Sequence, residues 1–398
     1  MPNLSPIAQR LDVIRPSSDG HGTNLQFGFG KTARPYSYPR IRPLSTVELR
    51  LSSSPLQFDK PAVAREDAGS DAFMLILAEK EVRRLIDIDE LILALEQAHI
   101  QYSKGQAVMP VRLVVPLPQI QGRITSMPGY LNDIKALGMK VVTYFSNNPS
   151  HDWPAILATI MLFSADTGQM IALMDGAYIT AIRTACASAL ATRVLANPGA
   201  ATLGLLGAGV QARAHLQAIA RVRPLRQIKI FSPSGVSAAA VKRDLEKALQ
   251  VAIEIAPNAE AVVRGSDLLV TVTTAREPIV RAEWLEPGVH INAVGSHRPD
   301  LREIDGATLA RAKVVVDSRE AIMAECGDIL LALKERSVGA DVIHGEIGEV
   351  LAGSKAGRRS ADEITLYKSV GIAVQDVATA NLVYHKALER NIGTHVAL

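Results

Sequence analysis

The chain has 398 residues, of which 48% are apolar and 21% are charged, a composition typical of globular proteins and a length suited to two or three domains. Its 43 basic and 40 acidic residues give a net charge of +3, so no large basic field indicates nucleic acid as a partner. Because no apolar run reaches about 18 residues and the two cysteines form neither a C-x-x-C pair nor a Cys/His cluster, we expect no membrane span, no disulfide framework, no zinc site and a reducing, cytoplasmic compartment.

Residues 1–72 differ in composition from the rest of the chain. Pro, Ser, Gly and Arg dominate clusters such as RPSSDGHG and TARPYSYPRIRP, and no helical or strand period is sustained. We therefore predict a disordered extension. The basic bias of the segment leaves a transit peptide as the alternative, although the apolar stretch of a secretory signal is lacking.

Predicted order begins near Phe73, where FMLILAEKEVRRLI indicates a strand followed by a helix. Asp87 and Glu90 have the spacing of a capping box, and they open an amphipathic helix that Gly105 closes. Alternating or apolar runs separated by turn residues then predict an antiparallel sheet; they are VRLVVPL, GRITSMPGYL, ALGMKVVTYF, ILATIMLFSA and QMIALMDG. An Ala-rich helix is predicted over residues 180–196.

From Ala201 the pattern changes to strands that alternate with helices, which is the rhythm of βαβ units and a parallel sheet. The predicted strands are ATLGLLG, QIKIFS, DLLVTVTT, HINAVG and KVVVDS. After Ser318 the chain returns to helices and loops, and a long helix is predicted within ITLYKSVGIAVQDVATANLVYHKALER. We therefore predict a nucleotide-binding domain over residues 198–319, inserted between residues 73–197 and 320–398.

The sharpest local motif is a glycine turn between the first of these strands and its helix. It consists of Gly207, Ala208, Gly209, Val210, Gln211 and Ala212. The glycines permit a tight turn and the close approach of a pyrophosphate, and the helix N-terminus offers free N–H groups and a favourable dipole. The motif predicts dinucleotide binding, and its strand–turn–helix context separates it from a plain Gly-rich turn.

The end of the second strand bears on the choice of nicotinamide cofactor. NAD-preferring sites usually place an acid here for the ribose 2′-hydroxyl, whereas this chain has Ser232 and Ser234, with Lys242 and Arg243 on the following helix. A 2′-phosphate is tolerated in such a site, so NADP(H) is the expected cofactor and NAD(H) a possible one. The alternative is that the serines cap a turn and the two basic residues form a solvated helix face.

Three basic residues lie near the ends of predicted elements in the N-terminal half: Arg112, Lys140 and Arg183. Taken individually, each is compatible with a structural ion pair. Lys140 lies within an apolar run, and a buried ammonium is costly unless it is paired, so we expect it to have an anionic partner. An arginine offers a planar fork that matches a carboxylate.

Several longer stretches connect these residues. They are MPVRLVVPLP, ALGMKVVTYFSNNP, ITAIRTACASALATRVLA, GLLGAGVQARAHLQAI, EWLEPGVHINAVGSHRPDLREID, VVVDSREAIMAECGD and ITLYKSVGIAVQDVATANLVY. In these stretches and their order, the chain from about residue 74 onward resembles the ornithine cyclodeaminase/mu-crystallin family. The resemblance implies an α/β fold in which a Rossmann dinucleotide-binding domain is inserted into an α+β domain that binds substrate and forms a homodimer.

The resemblance also implies residue roles. Arg112, Lys140 and Arg183 would converge on the carboxylate of an amino or imino acid, and Thr184 would lie near the cofactor phosphates. Four further residues stand at carboxyl ends of Rossmann strands, which line the cofactor crevice: Thr273, Thr274, Val294 and Gly295. For the two threonines, ordinary strand termination is the alternative.

One departure from the cyclodeaminase branch bears on the reaction. That branch has a catalytic Asp two residues after the glycine that matches Gly295, and here His297 stands in its place. We therefore doubt ammonia-releasing ring closure and place the chain nearer the imine-reductase members. The nearby residues Asp300, Arg302 and Glu303 are interpreted as an ion-pair set that braces the loop.

The expected activity is NAD(P)H-dependent reduction of a cyclic imino acid, Δ1-pyrroline-2-carboxylate or its six-membered homologue, to proline or pipecolate. Lys140, His297 or a water would keep a proton on the imine, and the pKa range of histidine suits that task. No metal is expected. The alternatives are ornithine cyclodeaminase, a dehydrogenase of a linear amino acid such as alanine, and a mu-crystallin-like protein that binds NADPH and a ligand without turnover.

Overall fold

A computed structural model of the chain describes residues 73–397, so the predicted extension over residues 1–72 lies outside the described part. The strands are β1 Phe73–Leu77, β2 Ala107–Val108, β3 Leu113–Leu117, β4 Gly122–Leu131, β5 Ala136–Phe145, β6 Ile156–Ser164, β7 Met170–Asp175, β8 Thr202–Leu206, β9 Gln227–Phe231, β10 Ala252–Ile255, β11 Leu268–Thr271, β12 His290–Ala293, β13 Lys313–Val316, β14 Ile343–Glu346, β15 Thr365–Lys368 and β16 Thr394–Ala397.

The α-helices are α1 Glu79–Leu85, α2 Ile88–Ser103, α3 Ala177–Leu195, α4 Val210–Ile219, α5 Val236–Leu249, α6 Ala259–Val263, α7 Gly306–Arg311, α8 Arg319–Glu325, α9 Gly327–Lys334, α10 Ile347–Leu351 and α11 Ala373–Glu389. Short 3-10 helices cover Pro118–Ile120, Asn148–His151 and Ala282–Trp284. None of the helices within residues 73–397 combines the length and the apolarity that a membrane span needs.

The first sheet has the strand order β16-β1-β7-β6-β5-β4-β2, with β3 paired to β4. Neighbours from β3 to β7 run antiparallel, as the alternating sequence predicted, whereas β1 and β7 are parallel. Asp87 caps α2, because its carboxylate accepts hydrogen bonds from the backbone N–H groups of Asp89 and Glu90 at 2.9 and 3.2 Å.

Helix α11 packs on one face of this sheet, against β4, β5 and β6. Gly129 and Gly138 face each other across β4 and β5 beneath the start of the helix. A Cβ atom at Gly129 would lie 3.2 Å from the Cβ of Ala373, and one at Gly138 would lie 3.3 Å from a methyl group of Val377. The two glycines therefore let the first turns of α11 approach the strands closely.

The second sheet is parallel throughout and has the order β10-β9-β8-β11-β12-β15-β13-β14. Every residue of β11 and β12 is buried, as expected for parallel strands covered on both faces. With helices between the strands, this is a Rossmann-type α/β arrangement and confirms the predicted fold class. The sheet extends beyond residue 319, because β14 and β15 belong to it, and the predicted division into domains stays a prediction.

The C-terminal helix is shorter than the sequence pattern indicated. The segment TLYK, residues 365–368, forms β15 between β12 and β13 instead of the first turns of a long helix. Gly371, with φ at +80°, then redirects the chain, and α11 begins at Ala373. The expected helix was wrong over this segment because pairing on both sides with buried strands outweighs a pattern that local periodicity could not distinguish from a helix.

Candidate active site

The carboxyl ends of the parallel strands bring most of the predicted cofactor residues to one edge of the second sheet. Leu206 at the end of β8 pairs with Phe231 of β9 and with Thr271 of β11, and Ala293 of β12 pairs with Lys368 of β15. The segments that follow these strands therefore leave the sheet side by side. In doubly wound sheets this edge is where nucleotides bind.

The glycine turn has the geometry that a pyrophosphate needs. Gly207 has φ at +107°, and a Cβ atom there would lie 2.9 Å from the carbonyl oxygen of Val272. Gly209 is the N-cap of α4, no side chain caps that helix, and a Cβ at Gly209 would have no atom within 4 Å. Ala212 is fully buried, which allows close packing of the helix. Open space in front of free helix N–H groups fits a dinucleotide diphosphate.

The remaining residues of the turn differ in their exposure. Ala208 is buried, Val210 is exposed, and Gln211 is half-buried with a side-chain oxygen that lacks a hydrogen-bond partner. Thr184 lies on α3, which packs against α4, and its hydroxyl donates to the carbonyl of Thr180 at 2.7 Å. The assignment of these residues to cofactor binding stays a prediction.

The segment after β9 contains the two predicted serines. Ser232 is buried and its hydroxyl accepts a hydrogen bond from Ser237 at 3.0 Å, whereas Ser234 is exposed. On α5, Lys242 pairs with Glu246 at 3.5 Å and Arg243 approaches Asp244 at 3.3 Å. The two basic residues therefore have acidic neighbours on a solvated helix face, which was the alternative reading of them.

Glu303 joins the ends of two strands of the crevice. Its buried carboxylate accepts hydrogen bonds at 2.7 Å from the hydroxyl of Thr271, from the N–H and hydroxyl of Thr273 and from the N–H of Gly295. Burial raises the pKa of this carboxyl group. The sequence placed Glu303 in an ion-pair set, and its observed contacts are instead hydrogen bonds to strand ends.

The two other members of that set form ion pairs. Asp300 pairs with Arg298 at 2.5 Å, and Arg302 pairs with Glu335 at 2.6 Å. Of the other strand-end residues, Thr274 is exposed and Val294 is half-buried at the same edge. Thr273 also adjoins the glycine turn, because its methyl group would lie 3.2 Å from a Cβ at Gly207.

Two of the three predicted carboxylate-binding residues meet at one buried carboxylate. The Lys140 Nζ atom lies 2.7 Å from Oδ2 of Asp376, and the Arg183 Nε atom lies 2.8 Å from Oδ1 of the same residue. All three side chains are almost fully buried. The anionic partner expected for Lys140 is therefore Asp376, which lies 236 residues further along the chain and has no local pattern that marks it as the partner.

The pKa of the Lys140 ammonium group is lowered from its usual value. Burial, together with the positive charge of Arg183, lowers the pKa of Lys140 to about 7, although the adjacent Asp376 acts in the opposite direction. A group with such a pKa can hold or release a proton near neutrality.

Arg112 reaches the same region from the segment before β3. Its Nη2 donates to the carbonyl oxygens of Val370 and Gly371 at 2.7 and 2.5 Å, and its Nε pairs with Glu325 at 2.9 Å. A Cβ atom at Gly371 would lie 2.7 Å from Nη1 of Arg183. Arg112 and Arg183 therefore both contact Gly371, and Arg183 and Lys140 share Asp376. The convergence of the three residues on a substrate carboxylate stays a prediction.

A buried acid fixes this glycine loop. The Asp317 carboxylate accepts hydrogen bonds from the N–H groups of Val370 and Gly371 at 3.0 and 2.7 Å and from the Ser369 hydroxyl at 2.8 Å. Beside the loop lies a small cleft whose lining includes Met109, Arg112, Met127, Glu325, Ile372 and Ala373. The cleft is mostly apolar and has the Arg112 guanidinium at its side.

His297 connects the crevice to the basic residues. Its Nδ1 donates to the carbonyl oxygen of Gly295 at 2.9 Å. Burial, reinforced by the positive charges of Arg112 and Arg123, lowers the pKa of His297 to about 4. A pKa of about 4 favours a neutral imidazole at pH 7, and the role of His297 at the imine stays a prediction.

Comparisons with known proteins place the chain in a family. A profile of the ornithine cyclodeaminase/mu-crystallin family matches residues 73–391. The structure of Thermococcus litoralis Δ1-pyrroline-2-carboxylate reductase in complex with NADH and L-proline is 40% identical, with a TM-score of 0.78 over 81% of this chain and 100% of that one.

Two further relatives carry other names. An archaeal alanine dehydrogenase dimer with bound NAD is 36% identical, with a TM-score of 0.78 over 82% of this chain and 99% of that one. The ketimine reductase mu-crystallin of Mus musculus is 38% identical over 297 residues, which are 74% of this chain and 91% of the mouse protein. The glycine turn, the strand-end crevice and these matches together assign the chain to the ornithine cyclodeaminase/mu-crystallin family.

Proposed function

We propose that the protein is an NAD(P)H-dependent reductase that converts a cyclic imino acid, Δ1-pyrroline-2-carboxylate or its six-membered homologue, to proline or pipecolate. The observation that carries this proposal is that Arg112 and Arg183 both contact Gly371 while Lys140 and Arg183 share Asp376, beside the strand ends of a dinucleotide crevice. The similarity to a reductase structure that holds NADH and L-proline supports the substrate class.

The three basic residues are suited to a small carboxylate. Lys140 and Arg183 are buried, so an anion placed against them interacts in a poorly screened environment. Arg112 adds a planar guanidinium group. Its Nε and Nη2 atoms make the contacts described above, and its Nη1 atom makes none of them. Fixing the carboxylate in this way orients the adjacent C=N bond, and such positioning can contribute on the order of 7–11 kcal/mol to catalysis.

The reduction requires one hydride and one proton. Reduced nicotinamide, when bound in the crevice, supplies a hydride to the imine carbon next to the carboxylate. The π bond of C=N is lost, and a C–H bond and an N–H bond are formed. Lys140, with its pKa of about 7, holds a proton that the nitrogen can accept.

The role of His297 in this proposal differs from the proton-holding role expected from the sequence. Because its imidazole is neutral and Nδ1 donates to Gly295, Nε2 is left as a hydrogen-bond acceptor. An acceptor of this kind orients a protonated imine and does not supply the proton itself. We therefore assign proton donation to Lys140 and orientation of the imine to His297.

For the cofactor we propose that both NADH and NADPH are used. Related structures hold NADH or NAD. No acid occupies positions 232–234 after β9, so a 2′-phosphate meets no carboxylate there. The hydroxyls of Ser232 and Ser234 are the groups available to it, because Lys242 and Arg243 have acidic neighbours.

A second candidate function is the dehydrogenation of a linear amino acid such as alanine, which the similarity to an archaeal alanine dehydrogenase favours. Both reactions use a carboxylate next to the carbon that exchanges hydride. His297 in place of an Asp argues against cyclodeamination.

The assay that tests the proposal mixes the purified full-length chain with Δ1-pyrroline-2-carboxylate and with NADH or NADPH in parallel. We expect the absorbance of the reduced nicotinamide to fall as proline accumulates. Ammonia release from ornithine with catalytic NAD would indicate a cyclodeaminase, pyruvate formation from alanine a linear dehydrogenase, and NADPH binding with no turnover a mu-crystallin-like carrier.

We also propose a homodimer in a cytoplasmic location. The face of the first sheet opposite α11 exposes apolar side chains in cross-strand register; they are Leu113, Val115, Ile124 and Leu157. An exposed apolar patch of this kind is typical of a subunit interface, and a related structure is a dimer. Both cysteines are free and buried, which suits a reducing compartment. Sedimentation of the wild type against Leu157→Glu tests the dimer.

A further inference from the structure

The Asp376 carboxylate forms ion pairs with two cations, Lys140 and Arg183. Asp376 lies in the first turn of α11, where Gly129 and Gly138 let the helix approach the sheet, and each of its carboxylate oxygens faces a different basic side chain. Oδ2 lies 2.7 Å from Lys140, and Oδ1 lies 2.8 Å from Arg183. The carboxylate is fully buried, so the two contacts are made without competition from bulk water.

Among the described residues, Asp376 is the acid that forms ion pairs with Lys140 and Arg183, whereas the nearby buried acid Asp317 accepts hydrogen bonds from the N–H groups of Val370 and Gly371. Arg183 Nη1 donates to the neutral amide of Gln375, and the amide nitrogen of Gln375 lies 3.1 Å from His99 Nε2. Burial lowers the pKa of His99 to about 3, so that ring is uncharged near neutrality. Arg112 has its own partner, Glu325. Two cations therefore share one carboxylate, so these three side chains together carry one net positive charge.

We propose that Asp376 is a positioning residue that holds Lys140 and Arg183 as one unit with a single uncompensated positive charge, and that the substrate carboxylate neutralises this charge. Keeping a buried charge unpaired is costly, so an anion of the right size is strongly preferred there. The inference rests on the proposed function for the identity of the anion as the substrate carboxylate, but its charge balance comes from the contacts alone.

The unit has a pH dependence that follows from this charge balance. When Lys140 loses its proton, the net positive charge is lost and the attraction for a carboxylate falls. The charged or titratable groups that face Lys140 are Asp376 from α11, Arg183 from α3 and Arg112 from the segment before β3, with His99 of α2 behind Arg183. Among these, Asp376 is the group that keeps the proton on Lys140.

The experiment measures binding of pyrrole-2-carboxylate, a planar acid that has no C=N bond to reduce, to the full-length protein loaded with NADH. Its carboxyl group titrates well below neutral pH. For the wild type we expect a constant Kd on the acid side and a tenfold rise per pH unit above the pKa of Lys140. In Asp376→Asn the rise should start at least about one pH unit lower. An unchanged pH profile in this variant would overturn the proposal.

Two further variants keep the test decisive if Asp376→Asn folds poorly. Asp376→Glu keeps the carboxylate and should restore the wild-type midpoint, even where misplacement of the carboxylate weakens binding. Lys140→Arg replaces the titrating ammonium by a permanently charged guanidinium, so its Kd should not rise on the alkaline side. A wild-type rise in Lys140→Arg would contradict the proposal.

The readout separates this inference from the proposed function. Binding of pyrrole-2-carboxylate needs no turnover. If the protein fails to reduce the imine but Asp376→Asn shows the shifted pH profile, the role of Asp376 is supported and the proposed activity is rejected. Imine reduction combined with carboxylate binding that is independent of pH in every variant would retain the activity and reject the role of Asp376.

Discussion

At the scale of single residues, the site is organised by a few buried charges. Lys140 and Arg183 are 1% and 4% exposed, which is rare for basic side chains unless they are paired, and one carboxylate pairs with both. The arrangement leaves positive charge next to a small apolar cleft and to the strand ends that form a nucleotide crevice. A small carboxylic acid with a reactive neighbouring carbon fits these features together.

Lys140→Met should abolish turnover and leave NADH binding largely intact. The substitution removes the ammonium that attracts the carboxylate and supplies the proton, whereas the glycine turn belongs to the other sheet. We expect a loss of at least about 10³-fold in kcat/KM, equivalent to about 4 kcal/mol, with a Kd for NADH within about threefold of the wild type. The matched control is Lys135→Met, because Lys135 is exposed and pairs with Asp166.

A parallel loss of turnover and NADH binding in Lys140→Met would indicate a folding defect, which thermal unfolding would reveal. Retained turnover would contradict the catalytic assignment of Lys140.

The pKa of His297 leads to a prediction about the acid side of the rate profile. Since burial lowers this pKa to about 4, protonation of His297 should not reduce kcat/KM between pH 7 and about pH 5. We expect the profiles of the wild type and His297→Gln to have the same shape in this range, with the variant lower by a constant factor. A limb near pH 6.5 that disappears in His297→Gln would contradict the neutral imidazole.

The sequence could indicate the three cations of the site but not the acid that joins two of them. Lys140 required a partner because it lay in an apolar run, yet many acids were available and Asp376 lies far along the chain at the start of another helix. Its local signal was weak: one acid beside small and apolar residues in the stretch QDVATA. The role of Glu303 was missed for the same reason, since strand ends meet only in the folded sheet.

At the scale of elements, the packing of α11 on the first sheet determines where Asp376 lies. Two glycines, paired across β4 and β5, form the surface on which the first turns of the helix rest. A Cβ atom at Gly129 would lie 3.2 Å from the Cβ of Ala373, so a side chain there would press against the first turn of the helix. The contact between helix and sheet is therefore coupled to the geometry of the site.

Gly129→Val should displace the start of α11 and weaken the site. The new Cβ would lie 3.2 Å from the Cβ of Ala373, and the additional methyl groups would increase the overlap. We expect about 1–3 kcal/mol of lost stability in urea unfolding and a higher Kd for pyrrole-2-carboxylate, with NADH binding retained. Gly199→Ala is the control, because a Cβ there meets no atom within 4 Å. Unchanged carboxylate binding in Gly129→Val would reject the coupling.

The sequence predicted the elements where a long pattern existed and failed where a segment was short. The alternation of the first sheet and the strand–helix rhythm of the second were both confirmed. The segment TLYK was misassigned because its few residues precede a strongly helical stretch, and only its two neighbours in the sheet make it a strand. Likewise, no local sequence pattern indicated that β14 and β15 belong to the parallel sheet.

At the scale of the whole molecule, buried neutral histidines connect the fold to acid stability. His99, His215 and His290 are fully buried, and burial lowers their pKa values to about 3, 4 and 3. Above pH 6.5 they are neutral in both the folded and the unfolded protein. Below that pH the unfolded chain takes up protons that the folded chain does not, so stability is lost as the pH falls toward about 4.

His215→Gln should make the loss of stability on acidification less steep. Each such histidine contributes up to about 1.4 kcal/mol per pH unit between its unfolded and folded pKa values. Urea unfolding at several values between pH 7 and about pH 5 should therefore show a dependence on pH that is smaller in the variant by about this amount. His151→Gln, at an exposed position, should behave as the wild type. Equal slopes in His215→Gln and the wild type would refute the prediction.

The central claim is that a small imino acid is held by Arg112, Lys140 and Arg183 so that hydride reaches the carbon beside its carboxylate. The most direct measurement uses NADH deuterated at the transferable position of the nicotinamide, with Δ1-pyrroline-2-carboxylate as the substrate, and locates the label in the product by NMR. We predict proline that carries one deuterium at C2. Unlabelled proline, or deuterium transfer that persists undiminished in Lys140→Met, would contradict the account.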